Sequence, residues 1–229
     1  MEQVNPNMNE NKIILEPFIG ACLSNAWYQI PKYFLELLLI FILAFAISLP
    51  GYILWGAFED HSFLYPLFGF LGFIYWLIIS IPLDYSVSFA FLKAVRNEKV
   101  EAKDIMLGYQ TWLNCVSASV LSMAIVAIGL VLLIIPGIIF SCKLAFVPFL
   151  VMDKKMDAVE AVKTSWKMTD GHALKIFGMF LLSIPIVLLG ILCLVVGIIP
   201  AIMWVELAFA YLYFSVSEYE KQQFEAQSV

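Results

Sequence analysis

From residue 33 to residue 216 the chain is a succession of long apolar runs that contain almost no charge, and no other property restricts its fold so strongly. A hydrocarbon core about 30 Å thick is crossed by about 20 helical residues, and inside it each backbone polar group must find its partner within the protein. Of the 229 residues, 62% are hydrophobic and only 14% are charged, with a mean hydropathy of +0.91. Soluble domains carry roughly a quarter charged residues. The sequence therefore predicts an all-α polytopic helical membrane protein, with residues 1–229 forming a single membrane domain.

Six spans are expected, arranged as three hairpins. Residues 33–55 include the run Leu37 to Leu43 and stop at or just beyond Pro50-Gly51. Residues 63–92 follow Glu59-Asp60-His61 and exceed what a bilayer requires, with Pro66 and Pro82 as kinks. Residues 112–135 end at Pro136-Gly137, a dipeptide that marks a turn. Residues 138–152 are short for a crossing, and residues 173–196 and 199–216 form a hairpin turned near Gly197 to Pro200.

Basic residues near span ends are retained on the cytoplasmic side. Lys93, Arg96, Lys99 and Lys103 occupy one connection, Lys154, Lys155, Lys163, Lys167 and Lys175 fill or flank another, and Lys12, Lys32 and Lys221 flank the chain ends. The intervening turns, Gly56 to Ser62, Pro136-Gly137 and Gly197 to Pro200, contain no Lys or Arg. Both termini and both basic connections are thus expected in the cytoplasm. This requires residues 138–152 to cross, because otherwise the two basic connections would face opposite sides. Met1 to Asn11 are polar without a basic segment, so a cleavable signal peptide is not expected.

Ahead of each hairpin lies a short amphipathic stretch, at residues 13–27, 100–110 and 156–168. In the last, Met156, Val159, Val162 and Trp166 recur at helical spacing opposite Asp157, Glu160, Lys163 and Lys167. Such helices are expected to lie in the cytoplasmic interface, with Trp27, Tyr109, Trp112, Trp166 and His172 as anchors at headgroup depth. An Asp170 or Thr169 cap would place His172 at the entry to the fifth span. The sequence Lys143-Leu144-Ala145-Phe146 is echoed by Glu206-Leu207-Ala208-Phe209, which suggests related hairpins.

Several classes of function lack support. A net charge of -5 and a pI near 5.0 oppose nucleic-acid binding, which needs a concentrated basic surface. Cys22, Cys115, Cys142 and Cys193 lie in apolar segments without metal-ligand or disulfide spacing, and the two histidines, His61 and His172, form no pair. No phosphate-binding glycine motif is present, and Gly69, Gly72 and Gly178 are expected to serve helix packing. No metal, cofactor or catalytic residue is expected, and the chain does not read as an enzyme.

Intramembrane charge is the exception. Glu36 can reach the interface, but Asp84, Lys143 and Glu206 lie deeper, where an ionisable group costs a few kcal/mol or more. Lys143 and Glu206 are expected at similar depth as a neutralising pair; the functional alternative for the three charges is a proton- or ion-coupled site.

Three blocks, Leu132 to Ile139, Leu144 to Asp153 and Glu160 to Trp166 with Thr169-Asp170-Gly171-His172, carry a resemblance, extended by Phe91-Leu92-Lys93 and Arg96 to Val100. Over roughly residues 85 to 215 the chain resembles the glycerophosphoryl diester phosphodiesterase membrane-domain family and related bacterial multi-pass proteins of unknown function. The resemblance implies a bacterial membrane protein. Enzymes of that family carry a separate catalytic domain after the membrane part, and this sequence ends about a dozen residues beyond its last span, so hydrolase activity is not implied. The expected role is non-enzymatic binding of membrane lipids or a cytoplasmic protein partner through the interfacial helices. A small transporter or channel-like protein using the intramembrane charges is the alternative.

Overall fold

The computed structural model describes residues 18–56 and 65–227, and among these it is helical nearly throughout, with no strand. His61 and the rest of the 57–64 turn, with residues 13–17 of the first amphipathic stretch, lie outside the described residues. The elements are α1 (Ile19–Gly56), α2 (Tyr65–Tyr75), a π-helical turn (Trp76–Ser80) and α3 (Ile81–Val95), then a 3-10 turn (Ala102–Met106) and α4 (Leu107–Gln110). There follow α5 (Trp112–Leu132), α6 (Ile134–Lys143), α7 (Val147–Asp153), α8 (Ala158–Met168), α9 (Ala173–Leu192) and α10 (Leu194–Gln227). Six stretches are long and apolar enough to cross a bilayer: Ile19–Leu54, Pro66–Val95, Trp112–Leu132, Ile134–Asp153, Ala173–Leu192 and Gly197–Gln222. The protein is an all-α, multi-pass membrane protein. Side chains such as Val131 (87% exposed) and Leu174 (84% exposed) point away from the bundle, as lipid-facing residues must.

Consecutive spans pair as three hairpins, and α10 packs against α1, α3 and α9. Arg96, just past α3, forms a two-pronged ion pair with Asp153 at the end of α7, at 2.5 and 2.7 Å. The two basic connections therefore meet at one end of the bundle, which makes Ile134–Asp153 a true crossing. We call this the basic end.

The hairpin turns are tighter than proline and glycine suggest. Between α5 and α6 the chain reverses at Leu133 alone (φ −168°, ψ 152°), ahead of Pro136-Gly137. Pro136 sits in the first turn of α6, where a missing N–H leaves no bond unmade. A Cβ on Gly129 would come 2.9 Å from the Gly137 Cα, so paired glycines let the backbones touch. The last hairpin likewise turns at Cys193 rather than at Gly197 to Pro200, with Gly190 against Gly197 and Pro200 inside α10. Gly178 packs on Ile19 as a close-contact glycine, whereas Gly69 has open space around it and plays no such part.

The amphipathic stretches also depart from expectation. The first is continuous with its span: α1 runs through both, broken only by a kink at Tyr33 (φ −116°, ψ 18°) two residues after Pro31. The second is a 3-10 turn and one α-helical turn, packed onto α3. The third is helical from Ala158, with Asp157 capping it by accepting from the Glu160 N–H at 2.8 Å. Its buried face is Ala158, Ala161, Val162, Ser165 and Met168, while Val159 is 52% exposed and Trp166 half-buried. Small residues win this face because they let α8 lie close on α5 and α7.

Candidate functional site

Pro82 has no N–H to donate, and the helix widens just before it into the π-helical turn Trp76–Ser80, closed by the Ile81 N–H on the Trp76 carbonyl. The nearby Ile79 carbonyl accepts instead from Tyr109 Oη at 2.9 Å. Ser86 Oγ donates to the Pro82 carbonyl at 2.9 Å and accepts from the Gly108 N–H at 2.7 Å. These bonds clamp the 102–110 segment onto the first turns of α3 and hold Asp84 on the opposite side of that helix from Ser86.

Asp84 and Glu206 line one cavity of about 270 Å³ between α1, α3 and α10. Ser48, Ser88 and Tyr52 supply its other polar groups, Phe41, Phe45 and Phe91 supply rings, and among the described residues no Lys, Arg or His lines it. Asp84 also lines a second cavity of about 460 Å³ on the α5 and α6 side of α3, with Ser119, Ser122 and Ser141. There Ser122 Oγ is buried without a hydrogen-bond partner. A third cavity of about 410 Å³ adjoins the first through Ser48 and Tyr52 and continues between α1 and α2 along Phe73 and Trp76. Of the three intramembrane charges named together from the sequence, Asp84 and Glu206 line this cavity and Lys143 does not.

Lys143 pairs with Asp170, in the link from α8 to α9, rather than with Glu206, and its Nζ lies 5.0 Å from the centre of the Trp166 ring. The cause is a break in the fourth span. Residues 144–146 leave the helix between α6 and α7, and the Val147 N–H bonds to the Leu144 carbonyl, so the Lys143 carbonyl has no partner one turn on. Ser165 Oγ donates to it at 2.7 Å, with Thr169 Oγ1 at 3.3 Å. This brings the end of α8 against Lys143 and Asp170 within its reach. The Leu144-Ala145-Phe146 echo is local in sequence only, since Leu207 to Phe209 lie inside the unbroken α10.

Below the cavity, polar side chains join at the basic end, and of these the sequence marks only the Lys and Arg, as topology signals. Asp153 accepts from Arg96 and from Tyr213 Oη at 3.0 Å, and the carboxylate raises the guanidinium pKa further. Buried Asp104 pairs with Lys93 at 2.7 Å and accepts from the Glu101 N–H at 2.9 Å. Gln29 Nε2 donates to the Ala94 carbonyl at 2.5 Å, and Lys32 Nζ donates at 2.5 Å to Asn97, whose positive φ of 57° ends the helix. The pKa of half-buried Glu101, between Lys103 and Lys99, is lowered to about 2 by their hydrogen bonds. At about 1.5 Å per residue, Asp84 stands about 18 Å above Arg96 along α3 and Glu206 about 10 Å above Tyr213 along α10.

The anchor residues divide between exposed and packed. Trp27 is 56% exposed yet packs at a tilt against Trp204 with ring centres 4.9 Å apart, and Trp204 Nε1 donates to the Leu23 carbonyl at 2.8 Å. Trp112 opens α5 half-exposed, and Trp166 lies 5.3 Å from Phe140. Tyr109 is held by its bond to the π-helical turn ahead of α3, and burial raises its pKa. His172 precedes α9 with no side-chain cap; Thr169, expected to cap α9, closes the end of α8 instead through the Ser165 carbonyl at 2.8 Å. Among the described residues no group of three His, Cys, Asp or Glu side chains is placed to hold a metal ion.

No curated protein and no solved structure matches the chain. Residues 67–227 match a family described as a domain of unknown function (DUF7847), a stretch that includes Asp84, Glu206 and the residues of the Arg96–Asp153 closure but leaves α1 outside. On that match, which covers more than half of its length, the chain belongs to the DUF7847 family.

Proposed function

We propose that the protein is a non-enzymatic, transporter-like protein of a bacterial cell membrane that binds a cation between Asp84 and Glu206. The observation that carries this reading is two carboxyl groups in one intramembrane cavity with, among the described residues, no basic side chain on its wall. Leaving acidic groups at that depth is costly, and intramembrane ionisable residues face ion or substrate pathways for that reason. A bound cation offsets the cost. Methylammonium, added at constant ionic strength, should raise the thermal stability of the purified wild-type protein. If the Asp84→Asn/Glu206→Gln double variant shows the same rise, the cation does not act at these carboxyls and the reading is wrong.

The basic end faces the cytoplasm in this proposal, because that is where retained Lys and Arg collect. Cys193, exposed at the turn of the last hairpin, is a native reporter, since Cys22, Cys115 and Cys142 are buried. A membrane-impermeant maleimide should label Cys193 in intact cells, and labelling only after the cells are opened would invert the topology.

A second reading, binding of lipid headgroups or a cytoplasmic partner, draws on the outer face of α8. There exposed Val159 lies among Glu160, Lys163 and Lys167, an apolar and charged mixture suited to an interface.

A further inference from the structure

We infer that the ligand of this cavity is a lipophilic organic cation, taken from the bilayer with its charge at Asp84 and Glu206 and its apolar body between α1 and α2. The inference rests on the cation-binding reading above and adds the ligand's chemical class.

The walls decide against a small metal ion. Such ions hold several oxygen ligands at short range, whereas much of the surface here is the rings of Phe41, Phe45, Tyr52 and Phe91. Ring faces attract weakly hydrated organic cations, which a carboxylate then holds by charge. The adjoining cavity supplies room for the rest of such a molecule. Its volume of about 410 Å³ falls within the range of organic-ligand pockets, and among the described residues it is lined by Gly51, Phe73 and Trp76 without an Asp, Glu, Lys, Arg or His. Ser48 and Tyr52 border both cavities, so one elongated molecule can occupy the two together. The entrance is lateral: Phe45 is 57% exposed and Tyr52 69% exposed on the outer side of α1, where a hydrocarbon-soluble compound arrives directly.

Ethidium, an aromatic organic cation, tests this by fluorescence anisotropy with the full chain in lipid nanodiscs, beside methylammonium as the small cation. Ethidium should bind at least about tenfold more tightly than methylammonium, and Glu206→Gln and Phe73→Ala should each weaken it about tenfold. Phe73 lines only the apolar cavity, so its effect reports the ligand's body rather than its charge. If methylammonium binding depends on Glu206 while ethidium binds no better and ignores Phe73→Ala, the lipophilic class is overturned and the cation site stands. If neither probe responds to Asp84→Asn or Glu206→Gln, both the class and the site are overturned.

Discussion

Arg96→Ala should destabilise the protein by about 3 kcal/mol in thermal or denaturant unfolding, because it leaves Asp153 part-buried with only Tyr213 to meet its charge. Side-chain exposures of 26% for Arg96 and 11% for Asp153 place the pair between surface and core, which sets the expectation at the lower end for a broken buried pair. Arg96→Lys should recover only part of the loss, since an ammonium cannot make the two parallel bonds at 2.5 and 2.7 Å. The double variant Arg96→Met/Asp153→Leu should lose less than Arg96→Ala. A loss below about 1 kcal/mol for Arg96→Ala would mean that the basic end is held by packing alone.

Gly108→Ala should cost about 3 kcal/mol, at the upper end of what one added methyl does to a packed site. A Cβ there would lie 2.0 Å from the Pro82 carbonyl oxygen and 2.6 Å from Ser86 Oγ. The obstacle is backbone, so no rotamer change relieves it. The 102–110 segment must lift from α3, and the bonds from the Gly108 N–H to Ser86 and from Tyr109 to Ile79 go with it. Unfolding in detergent reads the loss, and an unchanged midpoint would show that the segment is only loosely attached.

The spans were legible because a 20-residue apolar run has few alternatives in a chain this hydrophobic. Even the short fourth span followed from charge bookkeeping, and the Arg96–Asp153 pair supplies its structural counterpart. Turn positions were misread because proline and glycine act differently at a helix start. Pro136 is harmless in the first turn of α6, and Gly137 serves contact with Gly129 rather than chain reversal. The presence of Asp84 and Glu206 at depth was readable, but their meeting was not, since it depends on α3 and α10 becoming neighbours across more than a hundred residues. The partner of Lys143 was hidden by a backbone event. Nothing in Leu144-Ala145-Phe146 announces that the helix breaks there, and only the break draws α8 and Asp170 to that point. Arg96 stands in the sequence as a topology marker and Asp153 only within the resemblance, and a cation and an anion at the ends of two spans on one side were the available signal of a pair.

The open carbonyl of Lys143 imposes an order on synthesis. In the folded chain the hydroxyls that cover this acceptor belong to Ser165 and Thr169, twenty-two and twenty-six residues downstream, so a fourth span broken in this way before they are made would carry it uncovered. Until those residues emerge, the second hairpin holds in its interior a polar group that hydrocarbon cannot solvate. Its insertion is thus completed by a segment that itself never crosses the bilayer, and α8 acts as the closing piece of the hairpin made before it.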